Sequence, residues 1–263
     1  KEEMGNIFKS ELRYKKYKIS DFNDLYYNWI SNNLHNGLFI TENHNGKSFS
    51  ISKKKDNISI NIDGNDRSEY YPNVVKELSD IEGDFVIKGN ISAYNTMGKE
   101  VNSSLLKKSC ERIFTENSKW ISEGSITPEQ ESCVVFHIDN LTYLNECIAN
   151  KQYRERFREL TNLIPDNLRF IDIVSNVEVN TYRELHEKIS NLIESKCKEI
   201  ILRVSNSIYP SKKSDMIKVL LNDTLSPIEF KECLYFKDES ICPFISDLSR
   251  NCSISNIYKC VFK

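Results

Sequence analysis

The sequence predicts an α+β fold of two antiparallel β-sheets with flanking helices. Short apolar runs of β type recur between turn sequences, and amphipathic helical stretches fall among them without a regular β-α-β alternation. No internal repeat is evident. A chain of 263 residues with only 8 Gly and 6 Pro can bury a core without disulfide staples and is neither a low-complexity linker nor collagen-like.

The elements follow in order. Residues 1–34 are rich in Lys and Tyr and then turn helical, with Phe22, Leu25, Tyr26, Trp29 and Ile30 at helical spacing. From Gly37 the period becomes two. Leu38-Phe39-Ile40, Phe49-Ser50-Ile51 and Ile58-Ser59-Ile60-Asn61-Ile62 read as strands separated by Asn-Gly, Lys-Lys-Lys-Asp-Asn and Asp-Gly turns. Pro72 opens a helix through Leu78. A hairpin is expected next, Asp84–Lys88 and Ile91–Tyr94 joined at Gly89-Asn90, and then a polar surface insertion over residues 102–130. Cys133–Ile138 reads as a strand, Tyr153–Leu163 as a helix, Leu168–Val174 as a strand and Thr181–Lys196 as a helix. Glu199–Val204 and Met216–Leu221 close the series as strands, and β-like pieces follow from Asp223. Three regions result: a 1–36 extension with a helix, a 37–220 main domain and a 221–263 Cys-containing tail.

Charge and cysteine usage narrow the function classes. With 36 Lys+Arg against 38 Asp+Glu, the chain has no basic excess, so any nucleic-acid contact must come from a local patch. No run of 18 apolar residues is present, so no membrane-spanning helix is expected, and the first residues lack the apolar stretch of a signal peptide. The 8 Cys contain no C-x-x-C pair. For the four at Cys233, Cys242, Cys252 and Cys260, free thiols, a metal site and disulfides all remain open. The histidines at 35, 44, 137 and 186 show no metal-ligand spacing. His44 and the Lys53–Lys55 run read as turn surface, and Asp139 with Arg154 and Arg156 as a polar set that holds the fold.

Three segments carry a resemblance. The first is Leu38-Phe39-Ile40-Thr41-Glu42-Asn43-His44-Asn45-Gly46, followed by Ile62-Asp63-Gly64 and Tyr71-Pro72. The second is Phe85-Val86-Ile87-Lys88-Gly89-Asn90-Ile91. The third joins Lys198-Glu199-Ile200-Ile201-Leu202-Arg203 to Ser207-Ile208-Tyr209-Pro210-Ser211-Lys212-Lys213-Ser214 and Met216-Ile217-Lys218-Val219. Collinear and ordinarily spaced, with Phe136-His137-Ile138-Asp139 and the Arg154-Glu155-Arg156-Phe157 helix between them, they resemble the adenylation domain of ATP-dependent DNA ligases. That domain belongs to the nucleotidyltransferase superfamily of RNA ligases and capping enzymes, whose core is ATP-grasp-like. The match runs over residues 37–220.

The resemblance implies a chemistry: an unprotonated lysine amine attacks the α-phosphorus of ATP, carboxylates hold the metal, and cationic side chains neutralise the transferring group. It assigns the nucleophile to Asn43, the motif's Asp to Asn45 with Gly46 retained, and the following Arg to Ser48. The Glu of Asp-Gly-Glu becomes Asn90, preceded by Lys88. The adenine-stacking aromatic falls on Ile138, with Phe136 close by. The metal-binding Glu of the later motif becomes Lys198, with Glu199 one residue late; its Lys becomes Arg203, and Lys218 is retained. Phe136, Arg203 and Lys218 are thus the expected nucleotide contacts, and Lys212 and Lys213 the expected nucleic-acid contacts. The roughly 43 residues after Leu220 are too few for a complete oligonucleotide-binding (OB) barrel.

The sequence therefore points to a catalytically inactive, intracellular pseudo-nucleotidyltransferase serving as a binding or scaffold subunit. A protein partner is expected, and nucleic acid is a second candidate. No metal and no cofactor are expected. The alternative is a divergent ATP-dependent ligase or capping-type enzyme, using ATP and Mg, with a displaced lysine such as Lys47. An unrelated α+β binding module is the third reading.

Overall fold

The computed structural model describes residues 15–18, 25–44, 46–93, 131–195, 197–212 and 214–221. Phe22, Asn45, Lys213, the 102–130 insertion and the cysteine-bearing tail lie outside these residues.

The described strands are β1 (Lys15–Lys18), β2 (Leu38–Glu42), β3 (Lys47–Lys54), β4 (Asn57–Ile62), β5 (Asn65–Asp66), β6 (Phe85–Ala93), β7 (Val134–Leu144), β8 (Glu146–Cys147), β9 (Ile171–Ile173), β10 (Asn176–Val179), β11 (Glu199–Val204) and β12 (Met216–Leu220). The helices are α1 (residues 26–36, π-helical at first), α2 (Pro72–Ser79), α3 (Tyr153–Leu163) and α4 (Tyr182–Glu194). The fold is α+β with two sheets. One is ordered β5-β4-β3-β6-β7-β8, with β9 also paired to β7; the other is β1-β12-β11-β2-β10. Most measured pairings are antiparallel, but β1 runs parallel to β12 and β9 parallel to β7. Both sheets are therefore mixed at their margins.

Contacts divide the chain into two compact units. The first holds Asn43–Asn176 and Ser205–Asp215, the second Tyr14–Glu42, Val177–Val204 and residues from Met216 on. Both are discontinuous in sequence, a partition that the consecutive reading of the chain does not address.

In the first unit, strand alternation buries Phe49, Ile51, Ile60, Ile62, Phe85, Ile87, Ile91, Phe136 and Ile138 in one core with Tyr71, Val74 and Leu78. Helix α2 is fixed at both ends by remote charges. Glu131, only 1% exposed, accepts from the Asn73 and Val74 N–H groups at the N-terminus. Lys53 donates from Nζ to the C-terminal carbonyls of Leu78 (3.2 Å), Ser79 (2.9 Å) and Ile81. The polarity suits the helix dipole. Lys53 is thus buried, not part of a solvated turn, because strand alternation aims it inward with Phe49 and Ile51, while Lys54 ends β3 and Lys55-Asp56 form the turn.

The expected hairpin at Gly89-Asn90 is absent, and β6 runs straight through. A Cβ on Gly89 would sit 1.8 Å from the His137 carbonyl oxygen, so this glycine admits a neighbouring strand and does not make a turn. The register shifts beside it, between Lys88 and Gly89, leaving Asp139 of β7 as the extra residue of a bulge. Instead of one strand over Leu168–Val174, the chain forms the short β9 and then β10, which the sequence reading does not contain. In the second unit, Leu38, Ile40, Ile200, Leu202, Val204, Ile217 and Val219 pack with Leu185 and Ile189 of α4 and with Leu25, Trp29 and Ile30. The N-terminus of α4 is closed by a capping box between Thr181 and Glu184.

Gly89→Ala is expected to destabilise the protein by about 3 kcal/mol through forced strand separation. Gly64→Ala, where a Cβ meets nothing within 4 Å and only φ +83 opposes it, should lose about 1 kcal/mol. Urea unfolding of the two variants checks the difference, and equal losses would contradict the close-approach argument.

Candidate functional site

The face of the first unit's sheet turned away from its core carries a polar ladder. Register places Ser48 of β3, Asn90 of β6, His137 of β7 and Asp172 of β9 side by side across four strands. Ser48 Oγ donates to Asn90 Oδ1 at 3.2 Å, and His137 Nδ1 lies 3.3 Å from Asp172 Oδ2. The His44 ring stacks on His137 at 3.9 Å with 6° between the planes. His44 is therefore a half-buried member of this face and not turn surface.

A second row runs through Ser50, Lys88 and Asn140. Lys88 Nζ donates to the Tyr209 hydroxyl at 2.5 Å and lies 4.6 Å from that ring's centroid. Burial pushes the Lys88 ammonium down to about 8, against a partial upward pull from Asp139. Tyr209 is held by a segment fastened to the start of α3: Arg154 N donates to Ser205 O (3.1 Å), Tyr153 N to Ser207 O (2.8 Å) and Tyr209 N to Ala149 O (2.9 Å). Arg156, fully buried, donates to Asn140 Oδ1, Leu141 O and Lys151 O. The expected fold-holding set of Asp139, Arg154 and Arg156 is joined by Asn140, whose side-chain oxygen accepts from Arg156. The Asp139 carbonyl accepts from the Tyr153 hydroxyl.

In the second unit, the sheet face opposite the core carries Phe39, Thr41, Glu199, Ile201, Arg203, Met216 and Lys218. Lys218 Nζ and Glu199 Oε1 form an ion pair at 2.9 Å between β12 and β11. Arg203 is 4% exposed. Lys198 precedes β11 and is exposed.

The model of the ATP dependent DNA ligase domain family matches residues 24–219. The chain belongs to that family. Among solved structures it is similar to mycobacterial DNA ligase D complexed with ATP and MES, at 13% identity and TM-score 0.47, over 70% of this chain and 54% of that one. It is likewise similar to a Lig E DNA ligase (16%, TM-score 0.48, 81% and 69%) and to the ATP-dependent DNA ligase of bacteriophage T7 in complex with ATP (13%, TM-score 0.48, 80% and 69%). The chain thus spans about half the length of the mycobacterial ligase. No curated protein matches.

This ligase-family domain distributes the expected residues unevenly. Asn43, directly after β2, is 9% exposed. Asn90 sits on the polar ladder. Phe136 lies on the opposite side of its strand, fully buried and edge-on to Phe49 (4.9 Å) and Tyr71 (5.1 Å). Ile138 shares that core-facing side, so the polar position of this stretch is His137. Lys212 is exposed in a turn whose N–H donates to Asp215 Oδ2 at 2.9 Å. Lys47 pairs with Asp63 at 3.3 Å, on the strand side of Phe49 and away from Ser48 and Ser50. Sequence reasoning passed over His137 and Lys88 as site residues, although the alternation of β6 and β7 places both opposite Ile87 and Phe136.

A divalent cation does not fit these residues. By the resemblance, the first unit carries Lys88 and Asn90 where the family has the Asp and Glu of Asp-Gly-Glu, and the second carries Lys198 at a carboxylate position beside a Glu199 already paired with Lys218. Among the described residues no group of three His, Cys, Asp or Glu could hold a metal ion.

Removing one partner of the Lys218–Glu199 pair leaves a buried charge uncompensated. Lys218→Met is expected to lower stability by about 3 kcal/mol, and the double variant Lys218→Met/Glu199→Gln should recover most of it. Denaturant unfolding of the set is the check. Equal stability of native and Lys218→Met proteins would show that the pair carries no weight.

Proposed function

We propose that this ligase-family domain does not adenylylate itself and serves as an intracellular binding or scaffold subunit of a larger assembly. Asn43 carries the reading. Self-adenylylation needs an amine lone pair at the end of β2, and an amide nitrogen has its lone pair delocalised into the carbonyl. The exchange of acidic positions for Lys88 and Lys198 supports it further, since a cation facing a cation is repelled where the transferring phosphate would need one bound. A protein is the favoured partner. Nucleic acid is the second candidate, with Lys212 exposed in the loop that resembles the family's nucleic-acid-facing segment. No helix among the described residues is long and apolar enough to cross a membrane.

The rival reading, a working enzyme with a displaced lysine, has one observation in its favour. Lys88, not Lys47, stands on the polar face, and its ammonium is depressed to about 8. At pH 7 such an amine is still roughly nine-tenths protonated, so it acts chiefly as a cation.

Incubation with α-labelled ATP or GTP and Mg²⁺ or Mn²⁺ separates the two. The silent reading expects no covalent nucleotide. An acid-labile, base-stable adduct that disappears in Lys88→Ala or Lys47→Ala would overturn it.

A further inference from the structure

We propose that the outer edge of β1 in the second unit is a docking edge for an acidic extended segment of a protein partner, which would join the five-stranded sheet as a further strand. The inference rests on the reading above that the favoured partner is a protein, and it names the surface and the chemistry of that partner.

β1 ends the sheet order β1-β12-β11-β2-β10, and among the described residues no strand pairs with its outer side. Its outward N–H and C=O groups form an unfilled row, the template on which an extended peptide is added. The other edges offer less. The first unit's sheet ends in β5 and β8, each of two residues, and β10 reads Asn-Val-Glu-Val and carries no cation.

The side chains of β1 decide which peptide fits. Lys15, Lys16 and Lys18 are all exposed, and no ion pair among the described residues involves them. Register sets Lys16 beside Lys218 and Lys18 beside Leu220. The Lys218 charge is answered by Glu199, whereas Lys16 and Lys18 on the same face meet no such carboxylate. Three like charges on one short edge repel a second copy of that edge and give an apolar strand nothing to pair with. They admit a strand that carries Asp or Glu opposite them. A peptide also fits better than a nucleic acid. Tyr17 turns to the other face, packed against the second unit's core, with the Lys15 ammonium 4.8 Å from its ring centroid. The edge therefore has no aromatic platform for a base, and a phosphodiester backbone has no N–H to complete the ladder.

Fluorescence anisotropy of the full chain with a labelled alternating Glu-Val peptide tests the proposal, beside an alternating Lys-Val peptide and an oligothymidylate of equal charge. The Glu-Val peptide should bind and the Lys-Val peptide should not. Lys16→Glu/Lys18→Glu should weaken the binding about tenfold or more, the worth of reversing two exposed charges, and Lys76→Glu on the first unit should leave it unchanged. A Glu-Val peptide N-methylated at every residue keeps the charges and loses the N–H row, so it should not bind; undiminished binding would make the contact one of charge alone and refute strand addition. No binding of the Glu-Val peptide overturns the proposal, as does native affinity in a Lys16→Glu/Lys18→Glu protein that melts like the native one. If that variant does not fold, Lys16→Gln/Lys18→Gln is read in the same way. Tighter binding of the oligothymidylate, lost in the same variant, would make the edge a nucleic-acid contact. A chain that sediments as a dimer, and as a monomer in that variant, would make a second copy the occupant, and either result overturns the assignment. A covalent adduct with labelled ATP would instead refute the silent reading and leave the peptide result standing.

Discussion

Two backbone contacts against β6 and β7 fix everything on the first unit's polar face. A Cβ at Gly46 would lie 1.8 Å from the Ile91 carbonyl oxygen, and one at Gly89 would lie 1.8 Å from that of His137. No side chain can be accommodated at either point. Because β3 and β7 close onto β6 at these glycines, Ser48, Asn90, His137 and Asp172 fall into one row and Ser50 and Lys88 into the next. The bulge beside Gly89 brings Asp139 within electrostatic reach of Lys88. By the resemblance, both glycines correspond to those of the family's Lys-x-Asp-Gly and Asp-Gly-Glu patterns.

That division shows which parts of a motif are held by geometry and which by function. A glycine required by strand approach cannot be replaced without separating the sheet. Lys88 and Asn90 leave the core intact because they alternate with Ile87 and Ile91 along β6 and fall on its other face. Fold and site are separable here at the level of single residues.

Most of the fold was legible in the sequence because its signals are local. Pro72 starts α2, Thr181 and Glu184 cap α4, and the period-two runs at 49–51 and 58–62 are strands. The errors came where a distant neighbour decides the outcome. Gly89-Asn90 has the composition of a turn, and only the nearness of β7 makes it strand. Lys53 sits in a run of three lysines, and the carbonyls at the C-terminus of α2 receive it on the inward side of β3. Residues 176–179 carry one buried apolar side chain, Val179, too weak a period to read as strand before the sheet edge is known. The positions of Asn43, Asn90 and Lys198 come from the resemblance, the first two in the first unit and the third in the second. Phe136, an expected nucleotide contact, faces the first unit's core, and Lys88 carried no expected role beyond preceding Asn90.

The account depends on the exchange of carboxylate positions for Lys88, Asn90 and Lys198, and thus on the absence of affinity for a divalent cation. The most direct test is a Mn²⁺ titration of the protein alone followed by electron paramagnetic resonance, with Lys88→Asp/Asn90→Glu as the comparison. The account predicts the undiminished signal of the free hexaaqua ion for the native chain and a reduced one for the variant. A native protein that removes Mn²⁺ from the free signal at one equivalent per chain would contradict it.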